Sequence, residues 1–266
     1  MNRKTSIATN VVLLLCITAY LAGTLVHSRR QWNKIICNSL NVKIIDSTQN
    51  RFIKQEDIAA ILRANGQNYF GKKLSEISTS TIENILNNRS LIKQAEAYTS
   101  VDGVLHIDIL QRKPIARVYA SNGTSFYVDY DGYVIPPQST YTSYVPIVNG
   151  HISSPFPRNY KGSMLTYFGK NVIDSTYLQL YALTKYIDEH PFWKAQVEQI
   201  YFTKNGAVEF IPRVGAHIIR LGDLRSYRYK LSKLATLYEK GLPFKGWNTY
   251  EVIDLSYSNQ VVCKKK

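Results

Sequence analysis

The sequence predicts an α+β protein. It has one N-terminal apolar helix, a compact strand–helix–helix–strand–strand module, and a β-rich region carrying two longer helices. Three observations predict this. Residues 5–26 contain no charged side chain, and Val11 to Val26 is almost unbroken apolar sequence. Two short stretches with apolar residues every three or four positions then lie among runs that alternate apolar with polar. Beyond residue 113, short alternating runs and turn residues dominate, interrupted by two stretches of helical periodicity.

The N-terminal stretch is long enough to span a membrane. At about 1.5 Å per residue, its 22 positions reach roughly 33 Å as a helix, against a hydrocarbon core of about 30 Å. Arg3 and Lys4 flank one end; His27, Arg29 and Arg30 flank the other. The reading is a tail at residues 1–4, a membrane-spanning helix at 5–27 and a connector at 28–38. A cleaved leader has a shorter apolar region and a small-x-small cleavage site, and Ala19 and Ala22 are spaced wrongly for that site. Basic residues occur at both ends, so charge bias alone leaves the orientation open. Trp32 suits the headgroup level.

Leu40 to Asp46 alternates as a strand. Gln55 to Asn65 is helical, with Ile58, Ile61 and Leu62 on one face and Asn65-Gly66 as a left-handed stop. Ser80 and Glu83 have capping-box spacing for a second helix that buries Ile82, Ile85 and Leu86. Ile92 to Ser100 and Val104 to Gln111 are strands joined at Asp102-Gly103. Pro114 marks a boundary, because proline ends regular pairing in a central strand. Ser125 to Val134 is a hairpin around Asp131-Gly132, and Tyr144 to Val148 leads into a long loop at 149–170. Asp174 or Ser175 caps a helix to Glu189. Val197 to Phe202 and Ala207 to Ile211 pair across Asn205-Gly206. His217 to Leu221 is a strand. Asp223 caps the last helix, which carries Leu224, Tyr227, Leu231, Leu234 and Tyr238 on one face and stops at Gly241 and Pro243. Glu251 to Tyr257 and Val261 to Cys263 are the final strands.

Net charge is +14, yet the basic residues are scattered, in short runs such as Arg29-Arg30, Lys72-Lys73 and Lys264-Lys265-Lys266. Nothing forms the basic, aromatic-interleaved stripe that nucleic-acid binding favours. A surface beside an anionic membrane accounts for the charge. The 20 tyrosines suit strands. Of three cysteines, Cys16 lies in the apolar stretch, leaving Cys37 and Cys263 as one arithmetically allowed disulfide. Gly66 to Lys73 nearly matches a phosphate-binding loop but has Lys73 where a hydroxyl is needed. The five histidines lack metal-ligand spacing. His106 falls on the exposed face of its strand. Asp129 and Asp131 fit turn chemistry better than paired catalytic carboxylates. No catalytic, cofactor or metal site is expected, and the chain reads as no enzyme.

The ordered set of features resembles the FtsQ/DivIB family of bacterial cell-division proteins. A basic tail precedes one span. The strand-helix-helix-strand-strand module contains Asn50 to Ile58 and closes on Arg112-Lys113-Pro114-Ile115-Ala116. The turn Val128 to Gly132 and Val145 to Val148 follow. Leu221-Gly222 then leads into the helix from Lys230-Leu231 to Leu237, and on to the strand Val252 to Leu255. The resemblance implies a POTRA domain at 39–112 and a β-rich domain at 113–266. It implies an inner-membrane protein with a cytoplasmic N-terminus and its bulk outside, at the division septum. It also implies a non-enzymatic scaffold that binds FtsB-like and FtsL-like proteins and acts indirectly on the septal peptidoglycan synthase. In such proteins partners add a strand at the C-terminal end. The matching residues are Tyr257, Ser258, Asn259, Val261, Val262 and Cys263. The tail departs from the family in ending on three lysines without a late aromatic residue. The alternative is a single-span POTRA protein of an export or envelope-assembly pathway.

Overall fold

A computed structural model describes residues 3–32, 34–45, 53–137, 142–169 and 176–266. The described residues form two compact units, one up to Gln111 and one from Arg112 onward.

The first unit opens with helix α1, Arg3–Trp32. The expected connector at 28–38 therefore begins as helix. Side chains are described for Leu13–Leu25 and for His27 and Ser28, and those of 13–25 are exposed. Among the described residues no helix is long and apolar enough to cross a membrane. The span expected at 5–27 falls partly on residues outside the described side chains.

Strand β1 (Ser39–Ile44), helix α2 (Gln55–Ala64), helix α3 (Thr79–Asn87), strand β2 (Ile92–Thr99) and strand β3 (Val104–Gln111) follow. β3 is central, parallel to β1 and antiparallel to β2. Alternation along β3 buries Leu105, Ile107 and Ile109, and the helices bury Ile58, Leu62, Ile82 and Leu86. The helices pack on the two outer strands, α2 on β1 and α3 on β2. α3 is capped by Ser78, which accepts from the Thr81 amide, and not by Ser80. Glu83 turns instead to the sheet, its Oε1 accepting from the Ala97 amide at 2.8 Å. The phosphate-loop look-alike is a structural turn. Gly71 N donates to Cys37 O, Cys37 N to Lys72 O, and Leu74 N to Ile35 O, each at 2.8–2.9 Å. Gly103, at φ +83°, lets Asn38 N reach its carbonyl; a Cβ there would lie 2.6 Å from Ile36 O.

The second unit holds β4 (Pro114–Tyr119), β5 (Ser125–Asp129), β6 (Tyr133–Ile135), β7 (Ile147–Gly150), β8 (Gly162–Ser163), α4 (Met164–Phe168), α5 (Thr176–Glu189), α6 (Pro191–Gln196), β9 (Val197–Phe202), β10 (Val208–Pro212), β11 (Ile218–Gly222), α7 (Tyr227–Lys240), α8 (Leu242–Lys245), β12 (Tyr250–Asp254) and β13 (Val262–Lys265). The strands form one ten-stranded sheet in the order β13-β12-β11-β10-β9-β7-β4-β5-β6-β8. The described residues thus form a mixed α+β fold with a small three-stranded and a large ten-stranded sheet. Alternate residues Ala116, Val118, Val148, Ile200 and Phe202 face a core shared with Leu180 and Leu183 of α5 and Leu231 and Leu234 of α7.

Several sequence expectations change here. Pro114 does not end pairing; it opens β4, an interior strand, and the ladder slips just after it. Proline is tolerated at the first position of a strand. The loop expected at 149–170 contains the end of β7, the short β8 and α4. The caps expected at Asp174 or Ser175 lie outside the described residues. Ser226, with φ +53°, precedes α7 in place of Asp223. The chain also turns directly into α8 after Gly241. The expected strand 251–257 ends at Asp254. All three cysteines are free.

Gly150 ends β7 at φ +97°, where an added Cβ would sit 2.2 Å from Phe202 O. Gly150→Ala should therefore destabilise the protein by about 1–3 kcal/mol, the scale of a strained backbone position, read as a lowered urea-unfolding midpoint.

Candidate functional site

The C-terminal sheet edge is built by long-range packing. β11 runs parallel to β12, so the chain between them must cross over, and it does so through α7 and α8. Leu231, Leu234 and Tyr238 bury one face of α7. β13 then folds back antiparallel on β12, pairing Val262 with Asp254, Cys263 with Ile253 and Lys264 with Val252.

The six expected partner-binding residues divide between two places. Val262 and Cys263 lie in β13, at the end of the strand order. Tyr257, Ser258, Asn259 and Val261 lie in the turn before it. Val262 and Tyr257 are exposed, at 43% and 51%. Val261 and Cys263 instead pack against the core, and burial raises the Cys263 thiol pKa. Side chains of this stretch therefore alternate between anchoring the strand and facing solvent.

A residue that sequence reasoning missed holds the turn. Lys233 of α7 points its ammonium at four carbonyls: Leu255 O at 3.3 Å, Gln260 O at 3.1 Å, Ser258 O at 3.4 Å, and Tyr257 O. Burial, and then the neighbouring charge of Lys230, lower its pKa. No local signal marked it, since a lysine on an amphipathic helix reads as solvated surface. Lys230 was also unremarkable in sequence, yet it is buried and donates to Asp223 Oδ1 at 2.6 Å and Asp223 O at 2.9 Å. Asp223 is thus a counterion and not a helix cap. The hydrogen bond from Lys230 holds its carboxyl below the usual 3.8, outweighing burial, with Arg225 adding to the effect.

Charge surrounds the edge. Arg220 bridges Glu209 at 3.2 Å and Asp254 at 3.5 Å across β10, β11 and β12. Lys264 pairs with Glu251 at 2.8 Å. A lysine-rich margin opposes pairing with a second identical edge, because like charges would meet.

The edges of the first unit's sheet are closed differently. On β2, Ala97 N donates to Glu83 and Ala95 N to Asn87 Oδ1, both at 2.8 Å. On β1, Gln55 Nε2 donates to Val42 O at 2.7 Å. At the far end of the large sheet, β8 is two residues long, and Tyr160 OH donates to Ser163 O at 3.2 Å. Among the described residues no side chain hydrogen-bonds the backbone of residues 262–265, and no strand lies beyond β13.

A family model described as FtsQ/DivIB, C-terminal related, matches residues 113–264. The chain belongs to the FtsQ/DivIB family. A POTRA-like domain model matches residues 35–110, over the three-stranded unit. The family is one of non-enzymatic cell-division scaffolds, membrane-anchored and working with other division proteins. No curated protein matches the chain.

The other residues singled out in sequence have structural partners. Asp129, 1% exposed at its side chain, is bridged by Arg112 at 2.9 Å and accepts from the Asp131 and Tyr133 amides. Burial raises its pKa despite the Tyr133 amide and the guanidinium. His106 is half-buried, stacked on Tyr98 at 4.8 Å and bonded to Ser100 Oγ at 2.9 Å. Among the described residues no cluster of His, Cys, Asp and Glu could hold a metal ion.

Two outcomes follow from the α7 contacts. Asp223 has a lowered folded pKa, so its contribution is present above about pH 4 and is lost as pH falls through the folded value. Asp223→Asn should lower stability at pH 7 by about 1 kcal/mol, after allowance for solvent screening of a half-exposed carboxylate. The gap from wild type should close in urea titrations as pH falls toward about 2. Lys233→Met keeps the aliphatic stem and removes the ammonium. It should speed hydrogen exchange across residues 255–262 while moving global stability by no more than about 1 kcal/mol.

Proposed function

We propose that this chain is a divisome scaffold that lends the outer side of β13 to a strand of an FtsB-like partner. Through that partner it would reach an FtsL-like protein and, indirectly, the septal peptidoglycan synthase. The carrying observation is the contrast among sheet edges. Side chains of α2 and α3 occupy the edges of the small sheet, and β8 is too short to template pairing. β13 carries no such block among the described residues. An added strand would gain affinity from main-chain hydrogen bonds and selectivity from alternate side chains. Val262 and Tyr257 offer apolar contact, while Lys264 and Lys265 favour a partner with acidic residues beside its strand. Lys233 would hold the turn so that the edge is pre-organised.

The proposed placement is a cytoplasmic tail at 1–4, an inner-membrane span at 5–27, a linker at 28–38, a POTRA domain at 39–112 and the β-rich domain at 113–266. The bulk would lie outside the membrane, at the septum. The uncharged run of residues 5–26 motivates the span, and Leu13, Leu15, Ile17, Tyr20, Leu21 and Leu25 of α1 are each at least 50% exposed. A helix apolar all round finds a stable environment in a hydrophobic core or a bilayer.

Val262→Pro removes a ladder donor. Full-length protein with this change should bind a synthetic strand peptide of the partner about tenfold more weakly, the worth of one or two main-chain bonds, with its melting temperature retained. Unchanged capture by a folded variant would sink the edge reading. A fluorescent fusion should form a midcell band, whereas uniform envelope signal would favour the export or envelope-assembly alternative.

A further inference from the structure

The second unit carries a cavity that the edge reading does not use. Its walls are β4, the segment leading into β7, and the ends of α5 and α6. By alternation on β4, Ala116 and Val118 enter the shared core, and Ile115, Arg117 and Tyr119 line the opposite side. The segment Thr142–Pro146 forms another wall, tied down where Arg117 N donates to Pro146 O at 3.0 Å and Ser143 N to Tyr127 OH at 3.3 Å. The cavity encloses about 510 Å3, a size that accommodates a small organic ligand. Its lining is mainly apolar, with Val145, Pro146, Ile147 and Ile187 among the walls.

One polar feature stands out in that lining. The Arg117 guanidinium is flanked by two rings, with Cζ 4.7 Å from the Tyr119 centroid and 5.0 Å from the Tyr127 centroid. Its Nε is buried and has no hydrogen-bond partner among the described residues. Arginine does not lose its proton, so this is a fixed cation whose buried Nε–H is unsatisfied. Such an orphan donor is costly unless something meets it. The other lining charges do not. Asp188 is held by Lys194 of the lining at 2.5 Å and by Lys113, outside the lining, at 2.7 Å. Arg213 donates to Tyr144 OH. The lining residues Arg117, Lys194, Arg213, Asp188 and Glu198 sum to +1, and Lys113, which pairs with Asp188 from outside the lining, adds to that positive charge.

We propose that this cavity is a binding site for an amphipathic carboxylate, with an apolar body against the Ile115–Ile147 wall and a carboxylate beside the Arg117 guanidinium. A planar guanidinium matches the two oxygens of a carboxylate, and stacking between tyrosines fixes its plane. A net positive lining favours an anionic head. The source is either a fatty acid or the C-terminal end of an apolar peptide; both present the same chemistry.

The test uses full-length protein in amphipol and isothermal titration with matched pairs. One pair is octanoate and octanamide. The other is the tripeptide Ala-Val-Leu and its C-terminal amide. At least one carboxylate should bind about tenfold or more tightly than its amide, the worth of a charge-assisted hydrogen bond, and the pair that discriminates identifies the source. Arg117→Gln should erase the discrimination, while Lys264→Gln at the edge should keep it. If Arg117→Gln melts early, Arg117→Lys serves instead and should keep a reduced preference. Absence of binding by both carboxylates, equal binding of acid and amide, or discrimination that survives Arg117→Gln would overturn the proposal. None of these outcomes touches β13, so the edge reading stands or falls separately.

Discussion

An unpaired strand edge is the constraint on which this structure turns. Backbone amides and carbonyls at a sheet margin need partners or water, and an open margin is a template for another chain. The protein meets this requirement by different means at its different edges. In the small sheet, side chains of the packing helices bond directly to the outer strands: Gln55 on β1, and Glu83 and Asn87 on β2. In the large sheet, β8 is minimal and β13 is longer, exposed and rimmed with lysine. Among the described residues the β13 margin carries no such block, and its lysines discourage pairing with its own kind.

Helix α7 is what gives that margin its shape. Its apolar face, Leu231, Leu234 and Tyr238, is held in the core, and its two lysines do the local work. Lys230 is buried against Asp223, tying the start of the helix to the end of β11. Lys233 reaches the carbonyls of the β12–β13 turn. A lysine stem packs along apolar surface while its head finds oxygen, so both residues can serve core and turn together. The alternation of Val261 and Cys263 inward with Val262 outward completes the attachment. The edge is thereby fixed from behind without using its outward backbone.

Packing along the large sheet is uneven. Ala116, Val118, Val148, Ile200 and Phe202 are close-packed in the core shared with α5 and α7. Beside β4 a cavity remains, walled by residues 142–147 and by the ends of α5 and α6, with a guanidinium flanked by two tyrosine rings. Many of the 20 tyrosines therefore do more than favour strands. They stack on cations and histidines and bond to backbone, as Tyr181 OH does to Tyr130 O at 2.9 Å.

Periodicity in the sequence alone determined most elements and which face each one buries. β3, α2, β9 and α7 stand close to where alternation or helical spacing placed them, because that signal is written into consecutive residues. The uncharged N-terminal run and the family resemblance were legible for the same reason: both are local or ordered along the chain. Caps and strand ends were not. Ser78 and not Ser80 caps α3, Glu83 serves the sheet, Asp223 pairs with a buried lysine, and Pro114 opens an interior strand, since each choice depends on what lies across space. Only the tertiary structure decided that β13 ends the strand order, that Lys233 braces its turn and that Arg117 faces a cavity. Strand order and charge pairing join residues tens of positions apart, and no spacing along the chain encodes which of them will meet.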